Sequence, residues 1–524
     1  MKFLNYIYII ACLLIGFACS DFLEEYSQDT YYVSSYRDLD ELLIGDCYCP
    51  VQSTSPISGA SNLGAFIHFL GDEMEEQNGY FSTDFDNKEK IFGYYTWQQR
   101  VGTKDSYTGF FSENVTWTES YRLINVANNI ISSVKKVPQN SLDEKTGAIR
   151  VNGEAHFLRG AYYFWLVNLY GKPYNPQTSS SDLGVPIKIE NKVNDKVYQR
   201  NTVQEVYAQV LSDLQQAERN LSQTGKAKSI YRADSTAVHL LMSRVYLYMQ
   251  NWKMAIRYAD KVLKVRPDLI DLNHLTGAPL TKNSVENIFS MGGNDIPCFL
   301  CNNFQSFRVS KELYGTYDAD DLRKEKFWWT YEDFVGYTKV SEGTMSTYTR
   351  DNAGYYYYQY NIGLQGYKST ISDKFLFRSS EAYLNKAEAA VYLGNEDDAR
   401  SALNTLRRNR YKDGVSYEVN TTGTDLIKAI REERRKELAL EGHRWFDLRR
   451  YSSCEKYPES KRIVHNYTYY EGRGSNTMKE RHQFILEEND LAYTLPIPQS
   501  ILNFNTGMKN NERPERNYTI IPID

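Results

Sequence analysis

The sequence predicts a mainly α-helical protein, in which stacked helix pairs form a scaffold and long irregular segments are inserted between them. In several segments apolar residues recur at spacings of three and four, as they do on the buried face of a helix. One such segment is Thr202–Leu221, where the apolar residues from Val206 to Ala217 share one face. Two regions, residues 46–113 and 269–377, lack this periodicity and are rich in Gly, Asn, Tyr and Trp. Long insertions of this kind inside a packed domain are usually functional.

The clearest helix pair lies at Ser235–Pro267. Tyr246, Ala255 and Pro267 have the relative spacing of the tetratricopeptide pattern. The small residues Ala255 and Ala259 let two helix backbones approach each other closely. We therefore expect tetratricopeptide-like helix pairs, which usually form a scaffold and not a catalytic site.

A second helix pair is predicted at Ser379–Arg410, with a break at Gly394–Asn395. Asn395 is expected to cap the next helix, whose first turn is acidic. With the preceding helices, the predicted scaffold covers about residues 117–267 and 379–450. No Pro-, Gly- or Ser-rich linker divides the chain, so we expect one large domain over residues 19–524.

The amino terminus has the features of a bacterial lipoprotein signal. Lys2 precedes a short apolar run, Ile7–Ala18, which is too short to span a membrane comfortably. The run ends in Gly-Phe-Ala-Cys, so residues 1–18 are expected to be cleaved and Cys19 to be acylated. Acyl chains on Cys19 would anchor the protein firmly. The alternative is a plain signal peptide in which Cys19 has no role.

Charge and composition argue against several classes of function. The formal net charge is -5, with both signs mixed along the chain, which argues against a nucleic-acid partner. No motif for a serine hydrolase, a zinc protease, a phosphate-binding loop or a dinucleotide fold is present. We therefore predict no enzymatic activity, no catalytic residue and no cofactor.

Two weaker patterns leave alternatives open. After the signal, the cysteines are Cys47, Cys49, Cys298, Cys301 and Cys454, which allow a disulfide between the C-x-C and C-x-x-C pairs, a metal site, or free buried thiols. The segment containing Asp84, Asp86 and Asn87 has the oxygen ligands of a calcium loop but lacks EF-hand spacing. We predict no metal site.

One helical segment carries a specific family pattern. "ERRKELALEGHRWFDLRR", residues 433–450, combines interleaved Arg and Glu with a glycine break at Gly442 and a buried turn after it. Together with "AHFLRGAYYFWLVNLYG" and the closing "LPIPQSILNFNTGMKNN", it resembles the SusD/RagB family of nutrient-binding surface lipoproteins over nearly the whole mature chain. We expect the helix face formed by Arg431, Glu433, Arg435 and Glu437 to be structural.

The resemblance implies a cell-surface protein on the outer membrane that binds oligosaccharide or polysaccharide. Family members of this kind act as a lid on a SusC-like, TonB-dependent transporter and deliver their cargo to it. Two alternatives remain: a peptide-binding lid, and a purely structural lid subunit of the same kind of transporter.

Aromatic residues in the two insertions are the candidate ligand-binding groups, since a flat ring can cover the apolar face of a sugar. Trp97 lies near the place where a starch-binding family member keeps a stacking tryptophan; the alternative is a core residue. Trp328 and Trp329 are expected on a strand, with Trp328 facing outward. Asp72 is an exposed polar candidate.

The stretch "DNAGYYYYQYN" at 351–361 is expected to be a strand. Alternation would place Tyr356 and Tyr358 on one face, where they could stack on a glycan. The other face would carry Tyr355 and Tyr357. The alternative is a hairpin that packs on the helices or on the transporter rim.

Overall fold

The computed structural model describes residues 33–48, 63–77, 85–105, 113–191, 196–294, 296, 300, 306–340, 344–348, 357–361, 371–472, 475 and 477–523. The signal segment, Cys19 and Tyr356 lie outside these residues, so the predictions for them stay predictions. Asp84, Cys49, Cys298 and Cys301 also lie outside. The prediction of a mainly helical fold is confirmed, because helices make up most of the regular structure.

The helices and strands follow in chain order. The helices are α1 Tyr36–Leu42, α2 Phe85–Tyr95, α3 Val115–Ser133, α4 Leu142–Tyr170, α5 Val203–Leu221, α6 Ser235–Tyr248, α7 Trp252–Val265, α8 Lys311–Gly315, α9 Arg323–Lys326, α10 Ser379–Tyr392, α11 Glu396–Arg408, α12 Gly423–Glu437, α13 Arg444–Ser452 and α14 Gln499–Phe504. The strands are β1 Met74–Glu76, β2 Asn287–Ser290, β3 Phe307–Val309, β4 Trp328–Tyr331, β5 Phe334–Tyr337, β6 Thr344–Tyr348, β7 Tyr357–Asn361, β8 Leu376–Arg378, β9 Ile463–Tyr470, β10 Met478–Leu486 and β11 Tyr518–Ile521.

The scaffold helices pack on their chain neighbours from α3 to α7, and α10 packs on α11 and α12. Helix α7 also packs on α10, so the two halves of the scaffold meet although a long insertion separates them in sequence. The Trp252 and Tyr392 rings stack at this contact, with centroids 3.8 Å apart. The helix pair predicted at 235–267 is therefore part of a continuous helical layer.

Close backbone approach explains the small residues of that pair. Ala255 and Ala259 are fully buried, and the Ser243 hydroxyl donates to the Ala255 carbonyl oxygen across the pair at 2.9 Å. Larger side chains at either alanine would push the two helices apart.

Two helix starts differ from the prediction. The sequence pattern predicts this helix at Gly153–Gly171, but helix α4 begins eleven residues earlier, at Leu142, because Ser141 and Glu144 form a capping box. Asn395 occupies the residue before α11, but its side chain makes no capping hydrogen bond. The prediction that Asn395 caps this helix is therefore wrong, although the acidic first turn is present.

The insertions contain more regular structure than their composition indicated. Helix α2 lies in the first insertion, and the second contains short antiparallel strand pairs, β2–β8, β4–β5 and β6–β7. Strand β1 of the first insertion pairs with β3 of the second, Met74 opposite Val309. The carboxy-terminal strands form a three-stranded sheet in the order β11-β10-β9.

The cysteines that the structure describes, Cys47 and Cys454, are both free and buried. Burial raises the pKa of each thiol, so both behave as inert core residues. A disulfide that uses Cys47 is excluded in this structure.

Candidate ligand-binding face

A buried network of ion pairs, which we call the ion-pair core, joins the scaffold to the second insertion. Its centre is Glu437 on α12, whose carboxylate accepts hydrogen bonds from Arg323 at 2.9 Å, Arg378 at 2.5 Å and Arg410 at 2.9 Å. The other carboxylates that pair with these three guanidinium groups are Glu286, Asp321, Glu433 and Glu441.

The ion-pair core confirms a structural role for the family helix. Burial opposes ionisation of Glu437, but Arg410 and Arg378 outweigh it, so the pKa of its carboxyl lies well below the ordinary value. Arg431, Glu433 and Arg435 on the same helix are also ion-paired. Gly442 has a φ of +75° and a Cβ there would lie 3.2 Å from the Lys374 Cα, which explains the glycine break.

Asp72 belongs to a second buried ion cluster, so its prediction as an exposed candidate is wrong. Its carboxylate accepts two hydrogen bonds from Arg444, at 2.7 and 2.8 Å, and also pairs with Arg435 and Lys461. Burial alone would raise the pKa of Asp72, but the three cations overcome it and hold that pKa well below its usual range. Asp72 therefore fixes the segment before β1 against α12 and α13.

Trp97 is a core residue, and the prediction that it offers a stacking face to a ligand does not fit this structure. Its ring is 0 % exposed. The indole Nε1 donates to the Leu70 carbonyl oxygen at 3.0 Å, and the ring stacks on His465 of β9 with centroids 4.4 Å apart. On its other side His465 stacks on Tyr95, so the carboxy-terminal sheet covers the tryptophan.

Trp328 and Trp329 lie on β4, as the strand prediction requires, but both are buried, at 3 % and 6 % exposure. Trp328 packs edge-on against Tyr317, and Trp329 packs against Phe334 and donates to the Leu300 carbonyl oxygen. The expectation that Trp328 faces outward is wrong, because the β4–β5 hairpin is covered on both faces.

The tyrosine-rich stretch is confirmed as a strand where the structure describes it. Strand β7 pairs antiparallel with β6, and Tyr358 lies opposite Thr347. Tyr356 and the side chain of Tyr358 lie outside the described part of the chain. A ligand role for these two tyrosines stays a prediction.

A partly exposed row of rings, which we call the aromatic strip, lies on the carboxy-terminal sheet. It consists of Tyr469, His482 and Tyr518, one from each strand. The His482 ring lies 4.6 Å from the Tyr469 ring and stacks on the Tyr518 ring at 4.0 Å. Tyr518 is 54 % exposed, while the inner end of the same sheet face packs on Phe92 and Trp97.

The sequence reasoning missed the aromatic strip, although it left a signal. "VHNYTYY", residues 464–470, places His465, Tyr467 and Tyr469 at every second position, as a half-buried strand does. Exposed rings of this kind can cover the apolar face of a sugar.

Charged groups join the insertion segments to the carboxy-terminal sheet and to one another. Lys88 of α2 donates to the Thr468 carbonyl oxygen at 2.7 Å and pairs with Glu76. Arg308 of β3 bridges Glu75 at 2.7 Å and Asp333 at 2.6 Å. Among the described residues, no group of three or more His, Cys, Asp or Glu is placed to hold a metal ion.

Fold and site together define a class of protein: a helical scaffold with insertions that pack beside a carboxy-terminal sheet, which carries an aromatic and polar face. No helix in the described ranges combines the length and apolarity needed to span a bilayer. The profile of the SusD family matches residues 301–514, and a profile described as starch-binding and associating with the outer membrane matches residues 49–247. The chain belongs to the SusD/RagB family.

Relatives and solved structures agree with this assignment. A SusD-like protein of Formosa agariphila is 22% identical, and the match covers 86% of this chain and 90% of the relative. A Bacteroides vulgatus structure has a TM-score of 0.68 and 24% identity, and covers 91% of this chain and 98% of its own. A SusD superfamily protein of Bacteroides thetaiotaomicron has a TM-score of 0.64 and 22% identity, and covers 91% of this chain and 100% of its own.

Proposed function

We propose that this protein is a cell-surface lipoprotein, anchored through Cys19, that captures an oligosaccharide. It then delivers that ligand to a SusC-like, TonB-dependent transporter in the outer membrane, and it does no chemistry on the ligand. The family's description as starch-binding and associating with the outer membrane supports the ligand class and the location.

The observation that carries the proposal is the aromatic strip beside the insertion segments. One ring that covers about 100 Å² of apolar sugar surface contributes at most about 2–3 kcal/mol to the binding free energy. One or two exposed rings therefore give modest affinity, which suits a protein that must release its ligand into a transporter. Tyr356 and Tyr358 stay predicted ligand contacts.

Burial of Trp97, Trp328 and Trp329 favours a second candidate function. A structural lid subunit needs no exposed tryptophans and would use its insertions to contact the transporter. This candidate predicts that the mature protein binds no glycan on its own.

The test is a titration of the mature protein with a panel of plant, host and microbial oligosaccharides. Tyr518→Ala and Tyr469→Ala are each expected to weaken binding roughly 10-fold. This corresponds to a loss of about 1.4 kcal/mol of binding free energy, which is within the contribution of one ring. Phe504→Ala, which changes an exposed aromatic residue of α14, is the matched control and should leave affinity unchanged. Absence of binding across the whole panel would favour the structural lid.

Localisation is tested separately. An antibody against the folded protein should label intact cells, and Cys19→Ala should abolish that labelling. Labelling only after the cells are opened would contradict the surface location.

A further inference from the structure

A cleft of about 450 Å³ lies between the turn after α4, the end of α13 and the carboxy-terminal segment. Its volume is within the range of small-molecule sites. Its lining mixes carboxamide and hydroxyl groups with apolar surface. The carboxy-terminal segment contributes these lining residues: Leu491, Tyr493, Thr494, Asn510, Asn511 and Glu512.

Arg449 lines this cleft and is itself buried. Its guanidinium donates to the carbonyl oxygens of Asn168 and Gly171 at the end of α4, and to the Thr494 hydroxyl oxygen. Its Nε has no hydrogen-bond partner among the described residues. These contacts explain how Arg449 holds the end of α4, but carbonyl groups do not neutralise its charge.

Two further guanidinium groups donate hydrogen bonds to residues that line the cleft. Arg200 donates to the Asn511 side-chain oxygen at 2.9 Å and to the Tyr170 carbonyl oxygen. Arg513 donates to the Thr494 carbonyl oxygen at 3.1 Å. Within the part of the chain that the structure describes, Arg200, Arg449 and Arg513 form no ion pair with a carboxylate.

Burial without a counter-charge lowers the pKa of all three guanidinium groups, to about 10 for Arg200 and Arg449 and to about 9 for Arg513. All three are still protonated at neutral pH. The positive charge behind the cleft is therefore retained, in a chain whose net charge is -5.

The remaining charges around the cleft do not compensate for these three. Lys172 pairs with Asp182 at 3.0 Å, and Arg516 pairs with Asp490 at 2.7 Å. Glu512 is exposed. Among the residues that the structure describes here, five cations therefore surround or line the cleft against three carboxylates, and the local excess is positive.

We propose that this cleft binds the anionic group of an acidic sugar, as in a uronic acid, at a site separate from the aromatic strip. The carboxylate would lie near the Thr494 hydroxyl and the Asn510 amide, where it meets the field of the three unpaired guanidinium groups. Leu491, which is exposed, and the Tyr493 ring would contact the apolar face of the sugar. This inference does not depend on the function proposed for the aromatic strip.

Two single substitutions change the charge of the cleft in opposite directions and should shift anion binding in opposite directions. Asn510→Asp keeps the oxygen that accepts hydrogen bonds from the Ile497 and Asn511 amides, both at 2.8 Å, but it adds a negative charge to the cleft. Glu512→Gln removes an exposed negative charge. Asn503→Asp adds the same charge on exposed α14 and is the matched control.

The full mature lipoprotein in detergent would be titrated with trigalacturonate and, in parallel, with uncharged maltotriose. Trigalacturonate binding is expected to weaken at least 10-fold in Asn510→Asp and to strengthen 2- to 10-fold in Glu512→Gln. It should not change in Asn503→Asp, and it should weaken as salt rises from 20 to 200 mM.

Absence of trigalacturonate binding would overturn the proposal. Equal affinities in all three variants would also overturn it, because the anion would then bind elsewhere. Maltotriose binding that responds to Tyr518→Ala but not to Asn510→Asp would leave the proposed function intact, so the two failures are distinguishable.

Discussion

Glu437→Gln is the most informative substitution in the fold, because it replaces one carboxylate oxygen by an amide NH2 group at the centre of the ion-pair core. The carboxylate accepts hydrogen bonds from Arg323, Arg378 and Arg410. A glutamine has nearly the same shape but no charge, and its amide group would direct N–H donors at a guanidinium. The three arginines would keep their other carboxylates, yet the core would lose one negative charge.

The expected cost follows from burial. Removal of one partner from a buried ion pair typically costs about 3–5 kcal/mol. Unfolding entropy is about 2.1 cal/mol/K per residue, so a chain of this length loses roughly 1 °C of Tm for each kcal/mol. Glu437→Gln should therefore lower Tm by about 3–5 °C.

The assay is thermal unfolding at pH 7, with Glu432→Gln as the matched control. Glu432 is an exposed glutamate on the same helix, and its substitution should change the free energy of unfolding by less than about 0.5 kcal/mol. The pH dependence gives a second readout. Because the folded pKa of Glu437 is depressed, its stabilisation is present above its ordinary pKa of 4.5 and is lost as pH falls towards the lowered value.

The gap in Tm between wild type and Glu437→Gln should therefore narrow on acidification. A Glu437→Gln protein that melts within 1 °C of the Glu432→Gln control at pH 7 would show that the Glu437 charge does not stabilise the fold. The ion-pair core would then fix the second insertion against the scaffold without a net contribution to the free energy of unfolding.

Three further predictions concern packing and protonation. Gly336→Ala should lower the free energy of unfolding by about 1–3 kcal/mol, because the new Cβ would lie 2.1 Å from the Trp329 Nε1; Gly315→Ala, which meets open space, should be nearly neutral. Trp97→Phe should lower it by about 1–3 kcal/mol in denaturant unfolding, because the buried hydrogen bond to the Leu70 carbonyl oxygen is lost and the smaller ring leaves a cavity. A protein of unchanged stability would contradict the burial of the indole. Burial raises the pKa of Glu73 from 4.5 to about 7, so its contribution to stability falls as pH rises from 4.5 to about 7 and is fully lost above that value. Glu73→Gln should therefore stabilise the protein more at pH 8 than at pH 5, by about 1–3 kcal/mol, and an equal effect at both pH values would contradict that pKa.

The helical scaffold could be predicted well from local sequence. Apolar spacing located α5, and small residues located the contact between α6 and α7. The break at Gly442 followed from the same kind of signal. Each of these features depends on neighbours within a few residues, which a sequence pattern records directly.

The candidate site could be predicted only in outline. Alternation along a strand assigns Trp328 and Trp329 to opposite faces, but it does not show that other segments cover both faces. Trp97 is buried because His465, more than 360 residues away in sequence, stacks on it. Exposure of a ring is set by such distant contacts.

Local sequence patterns are sufficient to predict the class of fold, the family helix and the charged residues of α12. Folding determines which of those charges meet, that Asp72 is a structural anion, and that Tyr518 is the exposed ring of the aromatic strip while Tyr469 is half-buried. The physical reason is range: helix formation and capping act over one or two turns, whereas burial and ion pairing depend on segments that chain folding brings together from distant positions.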